Sequence, residues 1–449
     1  MMSSQHQQQQ QVEDTSIPKI YTLDQIQRAI ESNTAFEDTL LQAIENGFIE
    51  YEQSQFYAAP IQTLGLRPHP FIGGVVKSNA SSSNSNDNDN DATTAAAAEY
   101  AAQTCVKSGY FTNNPYYVIK VATGGKPLPT NWGCMQIYSQ YTGKLQAILL
   151  DDGILTEIRT ACIGSIACKY LAPKLQQTVS EGSSNNSYNV GIVGTGIQAR
   201  YQLDYLQKAS GVLPWTGSRN LCIWGRNSDK VQKLIDELSA AGNTNNIFWT
   251  TIKSVDHPND MLLQCQLIIT TTSSTKPLLG VDYEDKTKNK QFWNEFHAKT
   301  KNGGGLHITC IGSDAPGKCE IEPNFITKYC NLCIADSIRQ SLVRGEYQFQ
   351  TDVIEKMEDS NSNSSKFISL GNLLQPKNMH LHRQATDDNR ITIFDSSGIA
   401  LQDCIISQIT YETILEMEKE DNENEKNGES IDSRNKKRKS NDDLVKTDT

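Results

Sequence analysis

Apolar residues recur at helical spacing near the start of the chain, from Leu23 to Phe48, and the pattern breaks after Ser32. This spacing predicts two consecutive amphipathic helices. Shorter β-prone runs follow, and they predict strands at 71–76, 105–111, 116–122, 133–138 and 145–150. Helices and strands in separate runs are typical of an α+β domain, which we expect to be the first folded unit.

The stretch 188–209 has the pattern of a strand, a glycine turn and a helix. A β-prone run ends at Val193 and leads into the letters GTGIQA, after which apolar residues return at helical spacing. Gly194 permits the tight turn, Gly196 lets the backbone approach a pyrophosphate, and the small Ala199 lets the helix pack close to the strand. The N-terminus of that helix favours phosphate. The alternative is an ordinary turn between a strand and a helix.

The same alternation continues along the chain. It predicts strands at 221–227, 247–252, 267–272, 306–311 and 391–394, and helices at 229–240, 254–263 and 399–417. This rhythm predicts an α/β fold with a doubly wound parallel sheet beside the α+β unit. We expect the first domain at 17–180 plus about 396–418, and the parallel-sheet domain at 188–395.

Low-complexity polar segments interrupt these units, because they contain too few apolar residues to form a core. We expect a disordered Gln-rich tail at 1–16, surface insertions at 78–98 and 358–366, and a disordered charged tail at 419–449. The last tail contains the basic run from Lys436 to Lys439, which is either a nuclear address or a solvated charge run.

Charge and composition narrow the partners. The 449-residue chain carries a net charge of −11, which argues against nucleic acid or an anionic membrane, because both require a basic face. No apolar run approaches the length of a membrane span, and no signal-peptide pattern is present. We therefore expect a cytoplasmic protein with no membrane partner.

The 11 cysteines occur at irregular spacing, which is typical of buried thiols in a reducing compartment. Cys330 and Cys333 form one CxxC pair, but no second pair or nearby histidine accompanies it. We predict two buried positions in and beside a strand, and no metal site.

Three charged residues are candidates for chemistry. Lys120 interrupts an apolar strand, where a buried ammonium is costly without a partner. Arg159 lies in a helix start that Thr156 would cap, and its planar fork suits a carboxylate or a pyrophosphate. Asp314 directly follows a hydrophobic strand, at the edge where α/β sheets place their ligands. Each could instead be half of a structural ion pair.

Six segments, in their order and spacing, resemble the motifs of the ornithine cyclodeaminase/mu-crystallin family: VIKVATGG, LLDDGILTEIRTA, VGIVGTGIQA, IITTTSS, CIGSDAPGKCEIEP and IFDSSGIALQD. The resemblance covers nearly all of 21–416 apart from the insertions. It implies a homodimer in which a Rossmann-type NAD(P)-binding domain packs on a substrate-binding and dimerisation domain built from both chain ends. Members include ornithine cyclodeaminases, alanine dehydrogenases, ketimine reductases and opine-type synthases.

Position by position, the resemblance implies that Asp314 is the catalytic carboxylate and that Lys120, Arg159 and Ser397 bind an amino or imino acid. Arg159 would also lie near the cofactor. Together with the glycine turn and the end of the next strand, the residues expected to bind the dinucleotide are Thr130, Gly194, Gly196, Ile197, Gln198, Gly225, Arg226, Asn227, Ser273, Ile311, Gly312, Ser313, Lys318 and Ser396.

The implied reaction is the deaminating cyclisation of a diamino acid such as ornithine. Hydride leaves Cα to give an imine, the distal amine closes on that carbon, ammonia leaves, and hydride returns. Asp314 would carry the amine protons. The alternatives are an NADPH-dependent imine or ketimine reductase or an alanine-type dehydrogenase, and a crystallin-like NADPH-binding protein without turnover. An acid at position 314 favours the cyclodeaminase or alanine dehydrogenase chemistry.

Two positions depart from the family pattern. Members commonly carry an arginine, as a second carboxylate anchor, where this chain has Gln62, so either Arg67 or Lys107 substitutes or the substrate differs. The second strand of the parallel sheet ends in the letters GRN, up to Asn227, instead of the acid that binds the ribose 2′-hydroxyl of NAD. Because Arg226 can pair with a 2′-phosphate, we expect NADP rather than NAD.

Overall fold

The computed structural model describes residues 17–64, 102–125, 132–174, 187–208, 218–241, 248–301, 305–351, 366–383 and 389–426. Several predicted segments lie outside the described residues: the strand at 71–76, the tail at 1–16, the insertion at 78–98, most of the insertion at 358–366, and the charged tail beyond 426.

The first elements are short strands, two helices and a meander of longer strands. They are β1 (Lys19–Tyr21), α1 (Leu23–Ser32), α2 (Phe36–Glu52), β2 (Phe56–Ala58), β3 (Gln62–Leu64), β4 (Ala102–Phe111), β5 (Tyr116–Gly125), β6 (Trp132–Ser139), β7 (Leu145–Leu149) and α3 (Ile154–Leu171). Helix α1 begins where Thr22 and Gln25 form a capping box, with the Gln25 side chain accepting the Thr22 N–H at 2.9 Å. The predicted break after Ser32 is confirmed.

Within the described residues, seven strands form sheet A in the order β1-β7-β6-β5-β4-β2, with β3 also paired to β4. β1 runs parallel to β7, and the other pairs are antiparallel. The register sets Lys107 of β4 opposite Lys120 of β5, and Met135 of β6 opposite Lys120. Directly opposed residues share a face, so these three buried side chains lie on the inner face of the sheet.

Strands and helices then alternate. The elements are β8 (Ser187–Val193), α4 (Ile197–Lys208), β9 (Ser218–Trp224), α5 (Ser228–Ala241), β10 (Thr251–Ser254), α6 (Asp260–Gln264), β11 (Leu267–Thr270), α7 (Lys286–Lys301), β12 (Leu306–Cys310), α8 (Pro323–Tyr329), β13 (Leu332–Ala335), α9 (Ile338–Arg344), a 3₁₀ turn (Glu346–Phe349), β14 (Phe367–Ser369), α10 (Leu370–Leu373), a second 3₁₀ turn (Pro376–Leu381), β15 (Ile391–Asp395) and α11 (Ala400–Lys426).

In the part of the chain that the structure describes, eight strands form sheet B in the order β10-β9-β8-β11-β12-β15-β13-β14, and every pair is parallel. The order reverses at β8, because β9 lies on one side of it and β11 on the other. The predicted α/β fold with a doubly wound parallel sheet is therefore confirmed, with the mixed sheet A beside it.

Helix α11 covers the inner face of sheet A. Its buried residues Leu401, Ile405 and Ile406 belong to the same apolar cluster as Val118 and Met135 of the sheet. The helix also contacts α1, α2 and α3. The last helix of the chain thus completes the core of the first unit, although the predicted domain limits remain a prediction.

Several predicted elements were wrong in extent. The strand expected at 221–227 is β9 (Ser218–Trp224), and the strand expected at 267–272 is β11 (Leu267–Thr270). The strand expected at 247–252 is β10 (Thr251–Ser254). The helix expected at 254–263 begins only at Asp260, because Pro258 disfavours helical backbone at the residue before it. Helix α11 continues past 417 to Lys426, into the tail expected to be disordered. This stretch contains no Gly or Pro, and Lys19 pairs with Glu418 at 2.5 Å.

Candidate active site

The residues predicted to bind a dinucleotide gather at one edge of sheet B. The described strands of this sheet run parallel, so their carboxyl ends share that edge, which also contains the switch point at β8. Four predicted residues directly follow strands there: Gly194, Gly225, Ile311 and Ser396. The exposed Ser273 lies in the loop after β11. Thr130 lies outside the described residues.

The glycine turn combines one crowded glycine with one open glycine. Gly194 has a φ of +122° and donates its N–H to the Trp224 carbonyl at 2.8 Å. A Cβ at this position would collide with Thr271 Oγ1, so only glycine fits. At Gly196, a Cβ would meet no protein atom within 4 Å. Ile197, which is 48% exposed, then begins α4. Open space in front of a helix N-terminus fits a pyrophosphate.

The end of β9 lies beside this turn. A Cβ on Gly225 would lie 2.8 Å from Cγ2 of Thr195 and 3.0 Å from Cγ2 of Val231, so the glycine allows the turn and α5 to approach each other. The Asn227 side chain accepts the backbone N–H of the third residue after it at 3.0 Å and caps α5. Arg226 is exposed. Asn227 therefore has a structural partner, whereas the Arg226 guanidinium is open to a ligand.

Buried Glu320 joins the loops that follow β11 and β12. Its carboxylate accepts the backbone N–H of Gly312 at 2.9 Å and of Thr272 at 2.6 Å, and the hydroxyl of Thr270 at 2.7 Å. A Cβ on Gly312 would collide with the Thr272 backbone, so glycine is required where the loops meet. Burial raises the pKa of Glu320. These contacts fix the loop that carries Asp314.

Asp314 itself lies at the surface, with its side chain 56% exposed and 2.5 Å from Lys318 Nζ. Arg344, the last residue of α9, holds its backbone carbonyl through Nε at 2.8 Å and Nη2 at 2.6 Å. Ser313 beside it donates its hydroxyl to the Lys318 carbonyl at 3.0 Å. Desolvation would raise the pKa of Asp314, but the Lys318 ammonium outweighs it and lowers the pKa to about 2. Asp314 therefore has a structural ion-pair partner in Lys318.

Lys107, Lys120 and Arg159 form a buried cation cluster between sheet A and helices α3 and α11. Asp403 of α11 is the carboxylate at its centre, because Oδ1 accepts Lys120 Nζ at 3.2 Å and Arg159 Nε at 2.9 Å. Arg159 also donates through Nη1 to Gln402 at 2.7 Å. The predicted residues Lys120 and Arg159 thus meet in space, and each has a structural partner.

The ionisable side chains of the cation cluster shift one another's pKa values. Burial, followed by the charges of Lys120 and Arg159, lowers the pKa of Lys107 to about 8. Burial also lowers the pKa of Lys120 despite the opposing effect of Asp403. Burial would raise the pKa of Asp403, but Arg159 and Lys120 hold it below its ordinary value. Three basic side chains therefore gather around the Asp403 carboxylate, and the carboxyl groups of Asp151 and Glu157 lie within electrostatic range of Lys120.

The loop 396–398 connects sheet B to the cation cluster. Buried Asp336, directly after β13, accepts the Ser397 hydroxyl at 2.7 Å and the Gly398 N–H at 2.6 Å. The Gly398 carbonyl accepts Lys107 Nζ at 2.5 Å. Gly398 has a φ of +75°, and a Cβ there would lie 3.1 Å from Lys107 Nζ and 3.3 Å from Arg159 Nη1. The Ser397 side chain is therefore engaged by the protein, and the loop brings the cluster to the edge of sheet B.

Several buried polar atoms of this region have no hydrogen-bond partner among the described residues. They are Ser396 Oγ, Gln402 Nε2, Asp403 Oδ2 and Asp151 Oδ1. Buried polar groups are normally hydrogen-bonded, so unused donors and acceptors beside a cation cluster fit a polar ligand.

Helix α3 positions Arg159, and its start differs from the prediction. The expected cap, Thr156, lies inside the helix, which begins at Ile154. Asp151 supplies the cap instead, because its Oδ2 accepts the Leu155 N–H at 3.2 Å. The turn before the helix needs the positive φ of Gly153, +90°, which lets Asp151 reach back to the first turn. Burial raises the pKa of Asp151 to about 6.

Gln198 lies at the start of α4, but its side chain bonds to α3. Its Nε2 donates to the Glu157 carbonyl at 3.2 Å and also to the Glu157 carboxylate. One turn later, Gln202 Nε2 donates to the Thr160 carbonyl at 2.9 Å. Helix α4 and the helix that carries Arg159 are thus held together, and the Gln198 side chain has partners within the protein.

Gln62 does not replace the arginine that family members commonly use as a second carboxylate anchor. This residue is exposed and in register with Val106, so it lies on the face of sheet A opposite Lys107. Arg67 lies outside the described residues. Of the two proposed substitutes, Lys107 is the one that the structure describes, and it lies in the cation cluster.

Sequence reasoning missed three residues of this region. Asp403 is the single acid among buried apolar residues of α11, and this interruption of the apolar pattern was a usable signal. Asp336 follows a buried strand, as Asp314 does, and could have been found by the same rule. Arg344 had no sequence signal, because α9 and the Asp314 loop meet only through the fold of the chain.

Cys330 and Cys333 are buried beside and within β13, as predicted. Among the described residues, no group of three or more His, Cys, Asp or Glu side chains is arranged to hold a metal ion. The helices within the described ranges also include none with the length and apolar content required to cross a membrane.

Comparisons with known proteins agree on one family. A family model described as "Ornithine cyclodeaminase/mu-crystallin family" matches residues 115–418. An uncharacterized cyclodeaminase of Sinorhizobium fredii is 28% identical over 312 residues, which cover 68% of this chain and 79% of that protein. The alanine dehydrogenase of Archaeoglobus fulgidus is 26% identical over 291 residues, covering 65% of this chain and 73% of that protein.

A solved structure extends the likeness over most of the fold. The Δ1-pyrroline-2-carboxylate reductase of Thermococcus litoralis, in complex with NADH and L-proline, is similar with a TM-score of 0.59 at 17% identity. The similarity covers 89% of this chain and 98% of that chain. At this level of identity, the likeness establishes the fold.

Proposed function

The chain belongs to the ornithine cyclodeaminase/mu-crystallin family, and on that premise we propose that it is an NAD(P)-dependent enzyme that forms an imine at Cα of an amino acid. The favoured reaction is the deaminating cyclisation of a diamino acid such as ornithine. Asp314 is the catalytic residue of this proposal, and Lys120 and Arg159 bind the substrate carboxylate.

One observation supports the proposal: the cation cluster is linked, through the loop 396–398, to the edge of sheet B that contains the glycine turn. The loop 396–398 follows β15 and reaches the cation cluster through the Gly398 carbonyl. β15 pairs with β12, whose following loop carries Asp314. The electrostatic effect of Lys107 on Asp314 supports a common site for the two, and the glycine turn belongs to the same edge of sheet B.

When bound, an oxidised nicotinamide supplies the hydride acceptor for Cα and later returns that hydride. The protein holds the α-carboxylate on Lys120 and Arg159, so that Cα is oriented. Asp314, ionised because of Lys318, is in the state that accepts a proton from the amine. The distal amine then adds to the imine carbon, and ammonia leaves with the protons that Asp314 has carried, which leaves a cyclic imine. With the hydride returned, the product would be the saturated cyclic amino acid, proline in the case of ornithine. Substrate and cofactor are balanced, since the cofactor ends as it began.

The phosphorylated cofactor is the favoured one. Arg226 follows β9 and is exposed beside the turn, where an NAD-selective protein has an acid for the ribose 2′-hydroxyl. A guanidinium at this point can pair with a 2′-phosphate. Binding of NADH at least tenfold tighter than NADPH would contradict this preference.

A homodimer through the outer face of sheet A accompanies the proposal. Tyr57 and Tyr110 face each other across β2 and β4 with ring centres 5.4 Å apart, and Tyr117 and Tyr138 stack across β5 and β6 at 4.9 Å. This face lies opposite α11, and Tyr57 is 54% exposed. A second copy would cover the aromatic row. Tyr117→Asp should change the molar mass measured by light scattering from that of a dimer to that of a monomer. A wild-type protein with the mass of a monomer would contradict the proposed dimer.

The reaction itself is tested by screening purified protein with NAD(P)⁺ plus ornithine, lysine, diaminobutyrate or alanine. A parallel screen uses NADPH plus cyclic ketimines, or pyruvate and amines. Ammonia and the absorbance of the reduced cofactor are followed together. Ammonia release without net cofactor reduction is the expected result for a cyclodeaminase.

An imine reductase or alanine-type dehydrogenase is the second candidate, because the carboxylate and cofactor sites serve that chemistry equally. Stoichiometric oxidation of NADPH with a ketimine, or reduction of NAD(P)⁺ with alanine, would establish it in place of cyclisation. Binding of NADPH without turnover of any screened compound would instead support a crystallin-like NADPH-binding protein without enzymatic activity.

A further inference from the structure

We infer that Arg344, Glu346 and Gln348 form a clamp that holds Asp314 where its carboxylate can exchange a proton with the substrate amine. The three are positioning residues, because each acts through the backbone of the Asp314 loop, the segment 311–322 between β12 and α8. The inference rests on the proposed function for the role of Asp314. It adds the part of the chain that prepares this residue before a ligand arrives.

The clamp occupies alternate positions at the end of α9 and in the 3₁₀ turn Glu346–Phe349. The two residues between its members fix it to sheet B. Tyr347 is buried, and its hydroxyl donates to the Ile334 carbonyl of β13 at 2.8 Å. A Cβ on Gly345 would collide with Asp395 Oδ2, at the end of β15. The clamp is therefore built on the buried core of the parallel sheet.

Two members of the clamp bind the loop at Asp314 and shortly after it. Arg344 holds the Asp314 carbonyl through Nε at 2.8 Å and Nη2 at 2.6 Å. The Gln348 amide accepts the Gly317 N–H at 2.7 Å and donates to the Lys318 carbonyl at 2.8 Å. Because the Lys318 ammonium pairs with the Asp314 carboxylate, Gln348 fixes the backbone of both partners of this ion pair.

Glu346 binds the far end of the loop. Its carboxyl group accepts the N–H of Glu320 and, at 3.2 Å, the N–H of Ile321. The carboxylate of Glu320 accepts the Gly312 N–H at 2.9 Å, so the same contacts reach the start of the loop. Burial, followed by the charges of Glu320 and Asp395, raises the pKa of Glu346 well above its ordinary value. A neutral side chain with an oxygen in the same place should therefore do the work of Glu346.

The clamp matters for Asp314 because packing does little to fix that side chain, which is 56% exposed. Its place is set by the backbone that carries it, and the clamp contacts that backbone. Ordering a loop costs conformational entropy. Contacts made on folding meet that cost before the substrate binds, so that the acid is already in place for proton transfer.

Gln348→Leu is the first test, because Gln348 is half-buried and its replacement should leave the protein folded. With a substrate identified by the screen, kcat should fall about 10- to 100-fold and KM should stay within about threefold, since a shift of about 1 Å at the reacting groups has that effect. Glu346→Leu should act in the same way. Glu346→Gln should restore most of the rate, because the amide oxygen can accept the same N–H groups. A Glu346→Gln protein as slow as Glu346→Leu would overturn the part assigned to Glu346.

A double substitution separates positioning from a general loss of structure. In the Asp314→Asn protein, the residual rate no longer depends on a proton carried at position 314. Adding Gln348→Leu to it should therefore change kcat by less than about twofold. A further fall of about tenfold would show that Gln348 acts independently of Asp314 and would overturn the inference. Gln291→Leu, on the exposed side of α7, is the matched control and should keep the kcat and KM of wild type.

Hydrogen exchange of the free protein, followed by mass spectrometry, tests the clamp without any turnover. In Gln348→Leu, the amides of 312–321 should exchange about 2- to 10-fold faster than in wild type, because an N–H that has lost its acceptor opens more readily. The amides of β8 and α4 should exchange as in wild type. Unchanged exchange in 312–321 would overturn the inference, since the loop would then keep its shape without Gln348.

The clamp and the proposed reaction can fail separately. Faster exchange in 312–321 of Gln348→Leu, in a protein that turns over none of the screened compounds, would support the clamp and remove the reaction. Turnover with unchanged kcat and KM in Gln348→Leu would retain the reaction and remove the clamp.

Discussion

The substitution Gly196→Ala tests whether the glycine turn binds the cofactor, because it should weaken cofactor binding without destabilising the fold. A Cβ at Gly196 would meet no protein atom within 4 Å, and its φ lies outside the left-handed region. The added methyl group should therefore leave the free protein as stable as wild type, or more stable by about 0.4–1 kcal/mol, through the lower entropy of the unfolded chain. In the complex, the same methyl group would occupy the space required by a pyrophosphate at the start of α4.

The expected loss of affinity follows from that displacement. Moving the pyrophosphate away from one backbone N–H removes a charge-assisted hydrogen bond, at about 1.5–3 kcal/mol, which weakens NADPH binding about 10- to 150-fold. Gly194→Ala is the comparison variant, in which the added methyl group should lower the stability of the free protein. With a φ of +122° and a collision with Thr271 Oγ1, it should destabilise the free protein by about 1–3 kcal/mol or more.

Two measurements on the free protein and the complex test this reasoning. Urea unfolding followed by circular dichroism gives the stability of each variant, and a fluorescence titration gives the dissociation constant of NADPH. A folded Gly196→Ala protein that binds NADPH within twofold of wild type would refute the assignment of the pyrophosphate to this turn. A Gly196→Ala protein as unstable as Gly194→Ala would refute the open geometry.

Three further changes test the rest of the site. Asp314→Asn should lower turnover about 10²- to 10⁴-fold with NADPH affinity within a few fold, and unchanged turnover would remove Asp314 from the mechanism. Arg226→Asp should weaken NADPH binding in a titration by about 10- to 150-fold and leave NADH nearly unaffected, whereas an equal loss for both would argue against a 2′-phosphate contact. Asp151 has a folded pKa of about 6, above its ordinary 3.8, so the folded state binds this proton more tightly and stability falls as pH rises through about 6. In urea unfolding, Asp151→Asn should therefore gain about 1–3 kcal/mol over wild type on going from pH 4 to pH 7.5, and a pH-independent difference would contradict the raised pKa.

Elements of the fold could be predicted from the sequence where their formation depends on a single local pattern. The alternation of strands and helices predicted sheet B because parallel strands need helices between them, and the rule that ligand-binding residues follow such strands found Asp314, whereas Ser396 came from the family resemblance. The same approach failed at Thr156, because a cap depends on the turn geometry before the helix, and that geometry brings Asp151 to the first turn. It failed for the end of α11, because a polar helix has no apolar period to mark it.

The amino-acid sequence by itself determined the glycine turn, the parallel sheet and the residue types at the carboxyl ends of its strands, since each depends on neighbours within one or two turns of chain. Only the tertiary structure decided that Lys107 and Lys120 share the inner face of sheet A. It also brings Asp403 and the Gly398 carbonyl to these lysines, although Lys107 and Gly398 are 291 positions apart in the chain. Charge balance in a buried site is a sum over such distant groups. For that reason the meeting of these charges becomes visible only in the folded chain.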